Sequence, residues 1–290
     1  KGNIESIGGS AFYDTAIKEL QVGKGVSSLK ETLYGLGALE KIEVEEGNES
    51  YISEEGVLYN KEKTTVIRYP QSKSDQTEYK VPDGVKIIGE NAFRENKTIT
   101  KVELPKSVQS IKDNAFIYCG GLEEIKLPEG LQSIGVGAFY RTGIKQLTIP
   151  GSVVKIDVID KSIKLSKPSY LKKFKRDSGA IYYEARATIK ASGKKAVTYK
   201  ASRITKIKAK TSKVTIKKGK TTKLQTRVYI SKKLKKGYLD PEILKFTTSN
   251  KKVVKVSSKG TIKGLKKGKA TVTVKLRTTG KTYKVNVKVK

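Results

Sequence analysis

Several residue types that build catalytic and metal sites are missing from this sequence. Its 290 residues include no His, no Met, no Trp and a single Cys. The lack of His removes the commonest general base, the Ser–His triads and most transition-metal sites. One thiol can form neither an internal disulfide nor a thiolate zinc site. These absences exclude most familiar catalytic centres.

Membrane-spanning and calcium-binding patterns are also missing. No run approaches the roughly 18 consecutive apolar residues of a membrane span, and the sequence ends without a sorting or lipidation motif. Acidic residues cluster at Glu43–Glu49 and Glu54–Glu55, but not with the spacing of a calcium loop. We therefore expect no membrane span, no metal and no cofactor. Because there is no initiator Met, we expect upstream residues, including any signal peptide, to lie outside this sequence.

Acidic residues are scarce in the second half of the sequence. Residues 1–150 carry 19 Lys and Arg against 22 Asp and Glu, a net charge of −3. The remainder carries 42 basic and 6 acidic residues, a net charge of +36. This step in charge predicts a domain boundary near Gly151 and different electrostatic roles for the two parts.

The first half contains a repeated phrase of the form I-x-x-I-G-x-x-A-F. It begins at Ile4, Val85, Val108 and Leu131. In the last three copies the Phe residues, Phe93, Phe116 and Phe139, recur at one constant interval. A second phrase, L-x-x-I-x-L-P, follows as ITKVELP, LEEIKLP and IKQLTIP. Its two-residue period predicts a strand that ends at the Pro. The constant interval predicts stacked units, since one such unit cannot bury its own apolar face.

These phrases resemble the BspA-type leucine-rich repeats of bacterial surface proteins, over about residues 1–157. The resemblance implies a leucine-rich-repeat solenoid with each Phe packed between a strand layer and a turn layer. It also implies a hairpin-bearing repeat over about residues 47–84, with GVLY in place of the Ala-Phe pair and VIRYP as its strand. Because the Ala-Phe pattern is lost after Val153, we expect the array to end near Asp157. Cys119 takes the turn position occupied elsewhere by Asn96 or Thr, and is expected to bond backbone groups rather than to react.

Outward positions of the predicted strands form a ladder of polar side chains. Adjacent strands are about 4.8 Å apart, so six or seven of them give a face roughly 25–30 Å wide. That face suits a protein segment or an extended polymer; the alternative is that mixed charges only solvate the sheet. The candidate binding residues are Glu19, Gln21, Lys41, Glu43, Lys101, Glu103, Glu124, Lys126, Gln146 and Thr148.

From about Ala201 the sequence changes to short strands in which apolar residues alternate with Lys. Gly-containing turns at about ten-residue spacing predict about seven strands in a β-sandwich. The stretch from Thr247 to Val274 resembles the bacterial Ig-like domain of group 2, and the resemblance covers about residues 201–290. That family implies a stalk or adhesive module of an exported protein.

The residues between these parts, 158–200, contain predicted strands and a hairpin turning at Ser192–Gly193. We expect them to form a β-rich cap on the repeat stack, a spacer, or part of a second, irregular sandwich.

The lysines of the second half have two interpretations. They solvate strand faces and protect sheet edges, or they attach to a fixed polyanion such as a teichoic acid, an acidic polysaccharide or a glycosaminoglycan. The second interpretation arises because positive charges at this density repel one another and lower the stability of the fold, which a bound polyanion would relieve. Nucleic acid is not expected, because the basic strands lack interleaved aromatic residues. The candidate polyanion-binding residues are Lys266, Lys267 and Lys269.

Together these features predict a mainly β, two-part monomer: a leucine-rich-repeat solenoid followed by an Ig-like β-sandwich. A solenoid face offers no cleft in which a carboxylate could be desolvated, so we expect no enzyme. We interpret the chain as an exported bacterial surface protein whose repeat face binds a protein or glycan, such as one of the host, with the Ig-like part as its stalk. The alternative makes the basic half the main binding module and the repeats its scaffold. An extracellular location rests on the resemblances, because one Cys is compatible with cytosol or export.

Overall fold

The computed structural model describes residues 4–29, 33–157, 160, 162–175, 178, 180–190, 197–200, 204–230, 238–239 and 243–290. In these ranges the chain forms strands and no α-helix. The earlier strands are β1 (Glu19–Val22), β2 (Lys41–Val44), β3 (Tyr51–Glu54), β4 (Val57–Asn60), β5 (Thr65–Arg68), β6 (Glu78–Lys80), β7 (Ile87–Ile88), β8 (Lys101–Glu103), β9 (Ser110–Ile111), β10 (Glu124–Lys126), β11 (Ser133–Ile134), β12 (Gln146–Thr148), β13 (Lys155–Ile156) and β14 (Lys164–Ser166). The later strands are β15 (Leu171–Lys175), β16 (Ile181–Lys190), β17 (Val197–Lys200), β18 (Ile204–Ala209), β19 (Lys213–Ile216), β20 (Thr221–Lys223), β21 (Thr226–Ile230), β22 (Tyr238–Leu239), β23 (Leu244–Thr248), β24 (Val254–Val256), β25 (Thr261–Gly264), β26 (Gly268–Leu276) and β27 (Thr282–Val289).

The chain divides into two compact units. The first comprises residues 1–168 and 174–183, and the second comprises residues 169–173 and 184–290. The predicted domain limits at 157 and 201 remain predictions.

The first unit is a β-solenoid with two parallel ladders. One ladder pairs β5, β7, β9, β11 and β13 in that order. Its three middle strands come from the phrases that begin at Val85, Val108 and Leu131, and β5 comes from VIRYP. Its buried positions in register are Val66, Ile88, Ile111, Ile134 and Ile156. The other ladder holds the strands of the second phrase and includes β6, β8 and β10. This arrangement confirms the predicted mainly β solenoid.

A column of aromatic rings fills the space between the strand ladders and the turns. Phe93, Phe116 and Phe139 are fully buried, and their stacked ring centroids are 4.8 Å and 5.4 Å apart. Tyr69 extends the column at 5.1 Å from Phe93. The constant interval between the Phe residues therefore places one ring from each repeat on the next, as the sequence predicted.

Left-handed backbone marks both sides of each Ala-Phe turn. Positive φ values of 54–61° occur two residues before each Phe, as at Asn91, and two residues after it, as at Glu95, Tyr118 and Arg141. Such a conformation costs a bulky residue about 1–3 kcal/mol. Bonds between repeats offset the cost, since the N–H of Tyr118 donates to the Tyr140 carbonyl oxygen at 2.9 Å.

Small polar side chains bond the backbone inside the turns. Asn96 is fully buried, and its Nδ2 donates to the Pro70 carbonyl oxygen at 3.0 Å. Cys119 holds the equivalent position, with Sγ 2.9 Å from the Phe93 carbonyl oxygen. Burial raises the pKa of the Cys119 thiol to about 12, because the thiolate loses its hydration. The structure confirms that Cys119 bonds a backbone group.

The hairpin-bearing repeat differs from its sequence interpretation. A hairpin is present, with β3 and β4 antiparallel. However, the interpretation of GVLY as the substitute for the Ala-Phe pair was wrong, because Tyr69 of VIRYP occupies the aromatic column. Tyr59 of GVLY instead forms a hydroxyl–hydroxyl hydrogen bond with Tyr79. Both segments are short apolar runs, and periodicity alone does not show which ladder such a run joins.

The strand ladder continues past residue 157. β14 pairs in parallel with β12, and Leu165 lies opposite Leu147. The segment SIKLSKP keeps the inward Leu165 and the terminal Pro168, but Lys167 replaces the second inward apolar residue. Pro168 also follows Pro150 by 18 residues, fewer than the 22 or 23 between the earlier prolines, so the sequence pattern did not reveal the strand. Within the second unit, β16 and β17 form the predicted hairpin, while its predicted turn at Ser192–Gly193 lies outside the described residues. Whether residues 158–200 form a cap or a spacer remains a prediction.

The second unit contains the predicted seven-stranded sandwich. One sheet has the order β19-β27-β26-β23 and the other β20-β25-β24. Alternation buries Val285, Val287 and Val289 on β27 and exposes the residues between them. A Cβ on Gly264 would lie 2.9 Å from a Val289 methyl and 3.2 Å from Ile216. Glycine is therefore needed where the two sheets approach each other. A further sheet joins β18, β21, β22 and β16.

Candidate binding surfaces

The predicted ladder residues lie on the surface of the solenoid but in three separate sheets. The pairs in register are Glu19–Lys41 and Gln21–Glu43 in β1–β2, Lys101–Glu124 and Glu103–Lys126 in β8–β10, and Gln146–Lys164 and Thr148–Ser166 in β12–β14. All ten predicted residues are exposed except Lys101, which is half-buried. The outward pattern is therefore present, while the expected continuous face is interrupted. Their role in binding remains a prediction.

Opposite charges neutralise one another on these sheets. Lys101 Nζ lies 3.0 Å from a carboxylate oxygen of Glu78 and 3.3 Å from one of Glu103. The hydrogen bonds to these carboxylates, with Glu78 the larger influence, raise the pKa of Lys101. Lys41 lies 2.7 Å from Glu43, whose hydrogen bond likewise raises the pKa of Lys41. The ion pairs hold these side chains in place on a face of mixed charge.

A polar depression lies beside β1–β2, where the hairpin-bearing repeat interrupts the ladder. Its volume is about 740 Å³. Its acidic lining residues are Glu19, Glu40, Glu43, Glu55 and Asp75. Lys41 and Lys73 also line it, and Lys73 is buried against Asp75 at 2.5 Å. Carboxylates thus outnumber ammonium groups, and the depression is negatively charged.

Sequence reasoning missed the half of this surface that the hairpin-bearing repeat contributes. Glu55, Asp75 and Glu78 were not among the predicted residues. A signal was available, because the phrase EYKVP ends with Val81 and the strand-ending Pro82, one repeat interval before Pro105. The structure confirms that spacing, since Glu78 lies in register with Lys101.

A second missed feature lies on the turn side of the solenoid. The rings of Tyr118 and Tyr140 meet edge to face with centroids 5.9 Å apart. The Arg141 guanidinium carbon is 5.6 Å and 5.5 Å from these two centroids, and that of Arg94 is 5.8 Å from Tyr118. All four residues directly follow an Ala-Phe pair or come one residue later, which was the available signal.

The predicted polyanion-binding lysines are all exposed but do not share one element. Lys266 and Lys267 lie between β25 and β26, whereas Lys269 lies on β26 opposite Lys288. Residues 201–290 carry 29 Lys and Arg and only two acidic residues, Asp240 and Glu242. The described part of this range contains no carboxylate side chain that could pair with a lysine.

Among the described residues, no three His, Cys, Asp or Glu side chains come together as a metal site. No helix in that part of the chain has the length and hydrophobicity to cross a membrane.

Comparison with known families agrees with both halves of the fold. Six copies of the BspA type leucine rich repeat region match residues 1–75 and 72–162, more than half of the sequence. The chain therefore belongs to the BspA-type leucine-rich-repeat family. Residues 203–287 match the bacterial Ig-like domain (group 2). Both resemblances proposed from the sequence are confirmed.

Several solved bacterial structures are similar to the chain. The pneumococcal vaccine antigen PcpA shares 33% identity over 57% of this chain and 39% of its own, with a TM-score of 0.47. A leucine rich cell surface protein from Faecalibacterium prausnitzii A2-165 shares 26% identity over 56% and 42%, with a TM-score of 0.48. The chain thus spans about two fifths of these two proteins. No curated protein matches it.

These families are typically non-catalytic binding domains, and repeats of the BspA type are found in bacterial surface or secreted proteins.

Proposed function

We propose that this chain is a binding or adhesion module of a bacterial surface or secreted protein. The solenoid face is its ligand-binding part and the Ig-like sandwich is the stalk. Leucine-rich-repeat surface proteins generally bind proteins or glycans, which supports this division. The observation that carries the proposal is the negatively charged depression beside β1–β2, which interrupts an otherwise neutralised ladder.

The charge of the depression favours one kind of ligand. Lys41 pairs with Glu43 and Lys73 pairs with Asp75. The net negative charge of the depression therefore comes mainly from Glu19 and Glu55, which line it from different segments and would repel an acidic glycan. A basic segment of a protein is complementary to the depression, and complementary charge raises both specificity and association rate. We therefore place a basic protein segment ahead of a glycan as the ligand of this face.

A binding screen with matched variants tests the proposal. The full chain is immobilised and exposed to purified envelope and host-matrix proteins and to neutral and acidic glycans. Ligands are then measured against the variant E19Q/E55Q, which leaves both ion pairs of the depression intact. The control, E123Q/E129Q, removes the same charge from exposed positions outside the depression.

We expect the first variant to lose roughly tenfold in affinity, as for a few desolvated contacts, and the control variant to keep its affinity. Equal affinity in both variants for every ligand would contradict the proposal, as would the absence of any ligand.

A second candidate function is attachment to an anionic polymer by the basic half. It is favoured by the absence of carboxylate side chains from the described part of residues 201–290. Binding to heparin should then fall steeply with salt, because released counterions drive it. A ligand of the mixed-charge repeat face should respond weakly. Failure to bind heparin at about 50 mM salt, where screening is weak, would contradict this candidate.

A further inference from the structure

Three lysines surround one depression on the four-stranded sheet of the Ig-like part. Lys213 on β19, Lys269 on β26 and Lys288 on β27 line a space of about 460 Å³. We call this depression the lysine groove. Only Lys269 among the three predicted polyanion-binding residues lines it, so the groove is a different site from the one that the sequence indicated.

The sheet register brings these positive charges close together. Lys269 lies directly opposite Lys288 in the antiparallel pair of β26 and β27. Lys213 lies on the next strand, beside Asn286. Like charges directly opposite each other destabilise a sheet. The described part of the Ig-like half offers no carboxylate side chain to compensate them, so a bound anion would relieve the repulsion.

Neutral donors complete the lining of the groove. Ser249 Oγ accepts the Thr271 N–H at 2.9 Å, which leaves the Ser249 hydroxyl hydrogen available. The Thr271 hydroxyl lies 3.3 Å from Asn286 Oδ1, which leaves the amide NH₂ of Asn286 available. All three residues line the groove, as does Thr215.

This set of donors favours a particular anion. Ammonium, hydroxyl and amide groups suit a tetrahedral anion, whose acceptor oxygens point in several directions, as in phosphate and sulfate groups. A planar carboxylate is matched best by the fork of an arginine, and the described lining residues of the groove include no arginine. Beyond the groove, exposed Lys275 and Lys284 continue the positive face on β26 and β27. A chain of anions therefore fits better than a single ion.

We propose that the lysine groove is a binding subsite for a linear polymer that carries tetrahedral oxyanions, either phosphate or sulfate esters. This proposal rests on the second candidate function, polyanion attachment by the basic half, and assigns that attachment to named residues.

The test compares two triple variants of the full chain. K213Q/K269Q/K288Q removes the lysine groove. K223Q/K255Q/K263Q removes the same charge from exposed positions of the three-stranded sheet, where Lys255 likewise lies opposite Lys263. Circular dichroism establishes that both variants fold. Affinity is measured over a salt series for heparin, which carries sulfate, for polyphosphate, and for hyaluronan, which carries only carboxylate.

The groove variant should lose at least about tenfold in affinity and reduce the log–log salt slope by about two to three, as for the loss of three phosphate contacts. The control variant should lose about threefold or less through the general field. Preference for polyphosphate would assign a phosphate polymer and preference for heparin a sulfated glycan; either supports the groove.

Equal losses in both triple variants would overturn the groove while leaving polyanion binding intact. Hyaluronan binding as tightly as heparin and polyphosphate would overturn the preference for tetrahedral anions. If the unmodified chain bound none of the polymers, the second candidate function itself would fall.

Discussion

Both halves of this protein expose lysines on strand faces, but the side chains around those lysines differ between the halves. In the repeat half, Lys101 contacts Glu78 and Glu103 within 3.3 Å. In the Ig-like half, Lys269 lies opposite Lys288, and the described residues there offer no carboxylate side chain. The lysine of the first surface is paired within the chain, whereas that of the second faces a like charge. Alternation along a strand thus determines exposure, but the neighbours across the sheet determine what an exposed charge does.

The largest expected effect sharpens this comparison by acting on the repeat half alone. Phe116→Ala removes the central ring of a fully buried column. We expect a loss of about 3–5 kcal/mol, as for truncation of a buried aromatic residue. Calorimetry of the full chain should show the repeat transition lowered and the Ig-like transition unchanged. Phe116→Leu, the control, should lose less, and an unchanged repeat transition in Phe116→Ala would show that the ring is not core.

Removing a polar side chain from a turn of the solenoid should cost less stability than removing the Phe116 ring. The polar side chain of such a turn, as at Asn96, is buried, whereas Asn250 in a turn of the sandwich is exposed. Asn96→Ala leaves the buried Pro70 carbonyl and the Ile99 N–H without their partner. Unsatisfied buried groups of this kind cost about 1 kcal/mol or more each, so we expect a loss of at least about 2 kcal/mol in total. Urea unfolding, followed at the transition of the repeat half, measures this loss of stability, and Lys97→Ala at an exposed position is the control. A loss no larger than that of the control would contradict the hydrogen-bonding role.

Salt should change the stability of the two halves differently, and this effect should be smaller still. Raising NaCl from about 20 mM to about 500 mM screens surface charges. We expect the Ig-like transition to gain about 1 kcal/mol, or roughly 4–8 °C, as like-charge pairs are relieved. The repeat transition, with its paired charges, should move little. Lys269→Gln should reduce the gain of the Ig-like half. Equal responses in both halves would break the comparison.

The smallest effect concerns Cys119. Cys119→Ser retains a donor to the Phe93 carbonyl, so we expect a loss of less than about 1 kcal/mol. Because burial raises the folded pKa of the thiol to about 12, its contribution is present below the unfolded pKa and is lost as pH rises toward 12. At pH 8 the native thiol should resist a thiol-specific reagent and react only after unfolding. Rapid labelling of the native chain would contradict this account.

The regular parts of the fold were predictable because they repeat. The constant spacing of Phe93, Phe116 and Phe139 indicated the aromatic column, and the inward residues of the L-x-x-I-x-L-P strands indicated one ladder. The other ladder, of β5, β7, β9, β11 and β13, was not predicted. The hairpin-bearing repeat was predictable only in part. Tyr69 replaces Phe in the column but precedes Phe93 by one residue more than the repeat interval, and both of its neighbouring strands are equally apolar. Periodicity cannot show which of the two ladders each of these segments joins, because packing against the rest of the solenoid determines it.

The candidate sites were less predictable than the fold. Exposure of the ladder residues followed from strand alternation, but the acidic depression depends on where the hairpin interrupts the sheet. The lysine groove depends on which strands are neighbours. Lys213 and Lys288 lie far apart in the sequence, and only the parallel pairing of β19 with β27 brings them to one surface. No local sequence pattern specifies which distant strands pair or in which register.

The most direct test of the contrast between the halves is hydrogen–deuterium exchange of the full chain with and without heparin. The account predicts slower exchange in β19, β26 and β27 and no change in the strands of the solenoid. Slower exchange in the solenoid strands, or no change anywhere at about 50 mM salt where screening is weak, would contradict the claim that the lysine groove of the Ig-like half, and not the neutralised ladder, takes an anionic partner.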